Sequence, residues 1–152
     1  MTKAKTPSDE AIAAWARLHR VSRQFLETAE DALKAEGLPP LAWYDALHEI
    51  AQAGEDGMRP FQLIDRMLLA QYSVSRLLAR LETEGLIEKL DVADDGRGQT
   101  VRITGQGRDL RRRMWSVYGK VIDEQLGSKL AADELLTLCV LLGRLRHPQS
   151  ES

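Results

Sequence analysis

Between Pro60 and Thr104 the hydrophobic pattern changes period, from the three-and-four spacing of helices to the alternation of strands. This switch limits the possible folds more than any other feature of the chain. On the helical side, Pro60 suits a first helical position, and Phe61, Leu63, Ile64, Met67 and Leu68 predict a helix of about two turns. A second helix is expected from about Gln71 to Glu84, with Val74, Leu77, Leu78 and Leu81 inward. Its other face carries Gln71, Tyr72, Ser73, Ser75, Arg76 and Arg80. Gly85 closes it at a position where a left-handed backbone costs glycine least. Beyond Gly85, Leu86–Leu90 and Thr100–Ile103 alternate as two short strands, and the glycines and aspartates of the intervening residues 92–99 favour a turn.

Long helical patterns flank this centre. From Ser8 to about Glu36, Ile12, Trp15, Leu18, Phe25, Ala29 and Leu33 share one face, with Ser8 as N-cap and Asp9 and Glu10 at the positive helix end. Gly37, Pro39 and Pro40 stop that helix. A second pattern from Leu41 to about Ala53 aligns Leu41, Tyr44, Leu47, His48 and Ala51. After the hairpin, Thr104 caps a helix expected to reach about Leu126, with Leu110, Met114, Val117, Val121 and Ile122 near one face. A last helix, about Ala131 to Arg146, is dense in leucine. A central module of about 65 residues does not need this much apolar helical surface for its own core, so the ends are expected to pair with a second copy in a homodimer.

Composition narrows the function. At 152 residues one structural unit is expected, and 43% hydrophobic with 29% charged residues is the balance of a folding globular chain. No run approaches the roughly 18 apolar residues of a membrane span, and the start lacks the apolar run of a secretory signal. A cytoplasmic protein without a membrane partner is therefore expected. One cysteine, Cys139, excludes an intramolecular disulfide, and three scattered histidines offer no zinc-ligand spacing, so neither metal nor cofactor is expected. There is no glycine-rich nucleotide loop, no strand-helix alternation and no acid/base constellation, which argues against an enzyme and leaves no catalytic residue to name. The net charge of −2 hides an asymmetry: residues 59–113 carry 11 Lys/Arg against 8 Asp/Glu, leaving 10 against 15 elsewhere. A local basic balance permits nucleic-acid contact.

The order helix, helix, Gly-Leu, strand, charged turn, strand is that of a winged helix-turn-helix. The run from Ser75 to Lys89, SRLLARLETEGLIEK, resembles the recognition helix and wing entry of the MarR family, with its Leu-Glu-x-x-Gly-Leu-Ile/Val motif. Asp95-Gly96-Arg97 followed by Val101-Arg102-Ile103-Thr104-Gly105-Gln106-Gly107 is similar to that family's wing and wing exit. The sequence departs from the pattern at Gly96, where an arginine is common, and at Arg59 and Ala70, where a small polar cap is usual. The resemblance implies a mainly α fold of about six helices plus a two-stranded β-wing, in a single unit spanning 1–152. Residues 8–36 and 106–147 would be dimerisation helices and 41–104 the DNA-binding module.

It also implies a transcriptional regulator, a repressor whose homodimer binds double-stranded DNA at a pseudo-palindromic operator and is released by a small-molecule effector. A recognition helix fits the major groove, so Gln71, Tyr72, Ser73, Ser75, Arg76 and Arg80 are the candidate DNA contacts. Arg97 at the wing turn would enter a minor groove, oriented by Asp95. Solvated surface is the plainer alternative for Arg76, Arg80 and Arg97, and the expected reading for the basic run Arg111-Arg112-Arg113. MarR-like proteins often take a small aromatic or anionic effector between the dimer helices and the DNA module, which makes Trp15, His19, Trp43, Tyr44 and His48 candidates, although aromatic residues at this spacing also suit a core. Two alternatives stay open: a winged-helix protein-interaction module without DNA binding, and a redox-responsive regulator using Cys139, a residue expected to be small buried packing.

Overall fold

The computed structural model describes residues 5–69, 73–91 and 98–147. Six helices, α1 (Asp9–Ala35), α2 (Leu41–Gln52), α3 (Pro60–Arg66), α4 (Val74–Thr83), α5 (Gly105–Ile122) and α6 (Ala132–Leu145), accompany two strands, β1 (Ile87–Asp91) and β2 (Gln99–Ile103). The expected mainly helical winged-helix fold is thus observed, with boundaries close to those read from the sequence. Ser8 caps α1 by accepting from the Ala11 N–H at 3.1 Å. At α3 the cap expected to be missing is supplied from within: the Gln62 side-chain oxygen accepts from the Arg59 N–H at 3.0 Å. The helix expected from Gln71 begins at Val74, with Ser73 as its N-cap. That expected to reach Leu126 is α-helical to Ile122 and then widens into a π-type turn over Asp123–Gly127.

The antiparallel strands pair Ile87 with Ile103 and Lys89 with Val101. Ile87, Val101 and Ile103 face the core, while Glu88 and Arg102, opposite each other on the outer face, form an ion pair. A third, one-residue strand escaped the sequence reading. Met58 exchanges both backbone hydrogen bonds with Val101, at 2.9 and 2.8 Å, after Gly57 turns the chain at φ +76°. A single residue carries no alternation, so no periodic signal marks such a bridge.

The joint between α4, β2 and α5 fixes the wing. The Thr104 hydroxyl donates to the Gly85 carbonyl at 2.7 Å and accepts from the Gly107 N–H at 3.1 Å, so one side chain caps α5 and ties it to the end of α4. Gly107 lies against the Leu86 carbonyl, where a Cβ would stand 2.1 Å from that oxygen.

Two packed clusters result. One joins α2, α3, α4 and the strands through Leu47, Ile50, Met58, Leu63, Leu81 and Ile87; the other joins the C-terminal half of α1 with α2 and α5 through Ala29, Leu33, Leu41, Tyr44, Met114 and Val121. Trp43, Leu69 and Leu110 touch both. The expected apolar face of α1 is therefore only half used within one chain. Ala29 and Leu33 are buried, but Ile12, Trp15 and Leu18 are exposed, as are Leu136, Val140, Leu141, Leu142 and Leu145 of α6. Cys139, expected to be buried, is exposed in the single chain, because α6 packs little of its surface on the rest of the fold. Among the described residues no helix is long and apolar enough to cross a membrane.

Candidate functional site

On α4 the sequence pattern and the structure agree: Leu77, Leu78 and Leu81 are buried, and Ser73, Ser75, Arg76 and Arg80 face outward. The Ser73 side chain makes no capping hydrogen bond. It stands at the helix N-terminus, the end that favours anions. Arg76 has no ion pair among the described residues, whereas Arg80 reaches Glu84 one turn on, at 3.6 Å. That pair is exposed and weak, on the order of 0.3–0.5 kcal/mol. The other four candidate contacts, Gln71, Tyr72, Asp95 and Arg97, lie outside the described residues.

Behind the linker that leads to α4 is a cavity of about 490 Å3 between α1, α2 and α5. Tyr44 is the hub of its lining. Its ring stacks on His48 at 5.6 Å and on Trp115 at 6.0 Å, and meets the Tyr118 ring edge-on at 5.2 Å. Arg111 stands at the wall and donates to His48 Nδ1 from Nη2 at 2.9 Å. Burial pushes the phenols of Tyr44 and Tyr118 up from 10.0, Arg111 partly offsetting this at Tyr44. Both therefore stay protonated hydrogen-bond donors at neutral pH.

Asp45 also lines the cavity and is 6% exposed. It accepts from the Leu69 N–H at 2.9 Å, fastening α2 to the chain between α3 and α4. Leu68 and Leu69 line the same cavity, so its wall includes part of the segment between α3 and α4.

Of the five candidate effector residues, the structure brings Tyr44 and His48 to this cavity. Trp15 and His19 do not reach it: their rings pair at 4.9 Å on the part of α1 that extends past the core. Trp43, one residue from Tyr44, turns instead into the contact between the two clusters. The sequence reading missed Asp45, Arg111, Trp115 and Tyr118. Arg111, Trp115, Tyr118 and Ile122 recur at helical spacing on α5, a signal that was there to find but was masked by the basic run around Arg111.

Comparison with known proteins converges on one family. Residues 36–98 match the model of the MarR family. The fold superposes with a TM-score of 0.82 on Sco3205, a MarR family transcriptional regulator from Streptomyces coelicolor solved in complex with DNA, at 20% identity over 95% of this chain and 91% of that one. A mutant MarR from E. coli complexed with operator DNA gives 0.77 at 24% identity, over 94% and 100%. The organohalide-sensing regulator RdhR-CbdbA1625 in its 2,4-dichlorophenol-bound form gives 0.74 at 21% identity, over 96% and 88%. At these identities the likeness establishes the shared fold.

Proposed function

We propose that this chain, whose residues 36–98 match the model of the MarR family, is a sequence-specific DNA-binding transcriptional regulator of that type that acts as a homodimer and represses until a small molecule releases it. The observation that carries the reading is α4. Its apolar stripe is spent in the core while Ser73, Ser75 and Arg76 stand free on the outer face of a helix flanked by a β-hairpin. A helix so presented fits a major groove, where arginine matches guanine by paired hydrogen bonds. Two such helices in a dimer would read half-sites about 10 base pairs apart or a multiple of that. Two structural neighbours solved with DNA have the same fold.

The effector belongs in the cavity between α1, α2 and α5. Its aromatic walls suit a flat ring, and the Tyr44 and Tyr118 hydroxyls with Arg111 suit an oxygen or anionic substituent. A ligand there touches Leu68 and Leu69, and so bears on the entry to α4. An effector shifts DNA affinity only by its preference for one geometry, typically about 1–3 kcal/mol.

The test is fluorescence anisotropy with duplexes from upstream of the protein's own gene, beside a shuffled duplex, at fixed salt. Binding of a pseudo-palindrome at least about a hundredfold tighter than the shuffled control is expected. Equal affinity for both, or none for either, would defeat the reading and leave the winged-helix protein-interaction module in its place. Addition of phenols and aromatic acids should then raise the dissociation constant, and Trp115→Ala should blunt that response while Trp15→Ala leaves it.

A further inference from the structure

Arg108, Arg111 and Arg112, at the i, i+3 and i+4 positions of α5, line an open cleft of about 390 Å3 with Ala51 and Gln52 at the end of α2. Like charges at these spacings disfavour a helix, and Arg108 adds a cation near the positive helix end. The internal compensation is thin. Arg108 reaches Glu55 only at 4.0 Å, and that carboxylate is 81% exposed and shared with Arg102. Arg112 pairs with Asp109, both being largely exposed.

Arg111 is the least compensated. Among the described residues it has no carboxylate within ion-pair distance, and it directs Nη2 at 2.9 Å and Nε at 3.3 Å to the His48 Nδ1. A guanidinium is donor only, so this nitrogen must accept. The other ring nitrogen, Nε2, lies 3.2 Å from the Gln52 side-chain amide nitrogen. A half-buried cation with no carboxylate partner among the described residues is a charge left for an anion to satisfy.

We propose that this cleft is a second small-molecule site, one that holds a phosphate-type oxyanion between the guanidinium groups of Arg108, Arg111 and Arg112. Three planar donor forks on one helix face suit an oxyanion with several oxygens. The position disfavours the DNA backbone as its source. Thr104 ties the start of α5 to Gly85, past the C-terminal end of α4, whereas Ser73, Ser75 and Arg76 lie at the other end of that ten-residue helix, roughly 15 Å away. Arg111 also lines the aromatic cavity, so an anion in the cleft claims a guanidinium that the cavity shares.

The test contains no DNA, and its outcome is independent of the regulatory reading. The full chain is titrated calorimetrically with phosphate and with pyrophosphate, sodium chloride holding ionic strength constant. Saturable binding is expected, tighter for pyrophosphate. Arg108→Gln and Arg112→Gln, both on exposed side chains, should each weaken it about tenfold, and Arg113→Gln, outside the cleft, should leave it unchanged. No saturable heat, or equal weakening by Arg113→Gln, would overturn the site in favour of diffuse surface charge. Phenyl phosphate identifies the source. Binding tighter than phosphate and sensitive to Trp115→Ala marks a phosphorylated aromatic that reaches into the cavity, and binding equal to phosphate marks the free ion; either result supports the site.

Discussion

Asp45 and Leu69, 24 residues apart, are joined by one hydrogen bond from the Leu69 N–H to the Asp45 carboxylate at 2.9 Å. The contact fastens α2 to the approach of α4, and Asp45 is the buried charged side chain among the described residues. Asp45→Ala orphans that N–H and should cost about 1–3 kcal/mol in urea unfolding. Burial raises the Asp45 pKa from the ordinary 3.8, against the lowering by the backbone of Leu69 and Leu68. The folded chain thus keeps this proton to a higher pH than the unfolded one, so the contribution to stability is fully present below 3.8 and is lost as pH rises through the folded value. The stability of the parent relative to Asp45→Asn should therefore fall as pH is raised from 3.8. A difference that grows with pH would show the anion to be favoured instead.

Gly107→Ala reverses an ordinary expectation. In a helix interior this change normally stabilises by about 1 kcal/mol. Here the new Cβ would stand 2.1 Å from the Leu86 carbonyl oxygen and 2.7 Å from Ile103 Cγ1. Overpacking of this kind should destabilise by about 1–3 kcal/mol or more. Gly105→Ala, where the added carbon meets nothing within 4 Å, is the matched control in the same melting experiment.

The exposed leucines and valine of α6 and the Ile12, Trp15, Leu18 stripe of α1 bear on assembly. Each such side chain contributes about 1.5–3 kcal/mol when fully buried. Leu136→Glu with Val140→Glu should convert a dimer to a monomer in analytical ultracentrifugation and abolish tight binding of the full palindrome. A chain that sediments as a monomer before any substitution would remove the premise.

Arg76 and Arg80 should behave differently on DNA. Arg76→Ala is expected to cost about 1–3 kcal/mol on the preferred site and to relax base preference at one position of each half-site. For an Arg80 that exchanges its weak pair with Glu84 for a phosphate, Arg80→Ala should weaken binding to every duplex alike and reduce the salt slope by about one. Anisotropy titrations across single-base variants and salt concentrations separate the two, and parallel losses would cancel the base-reading role of Arg76.

What the sequence determined by itself is local. The spacing of Val74, Leu77, Leu78 and Leu81 decides which face of α4 is buried, and with it that Ser75 and Arg76 point out, because a helix has a single period and its apolar stripe must be covered. Ser8, Thr104 and Gly85 mark ends for equally local reasons of capping and backbone freedom. Tertiary structure decided which covered stripe meets which. Trp15 with His19 and Tyr44 with His48 show the same i, i+4 spacing, yet only the second pair lines the cavity. The cause is length: α1 has 27 residues and runs roughly 40 Å, and the stripe of its first half, Ile12, Trp15 and Leu18, is left exposed among the described residues. Arg111, Trp115 and Tyr118 became site residues only through the packing of α5 on α2, and Met58 paired with Val101 only once the hairpin was in place. Periodicity records the direction of a side chain from its own axis and carries no information about the partner at the other side of the contact.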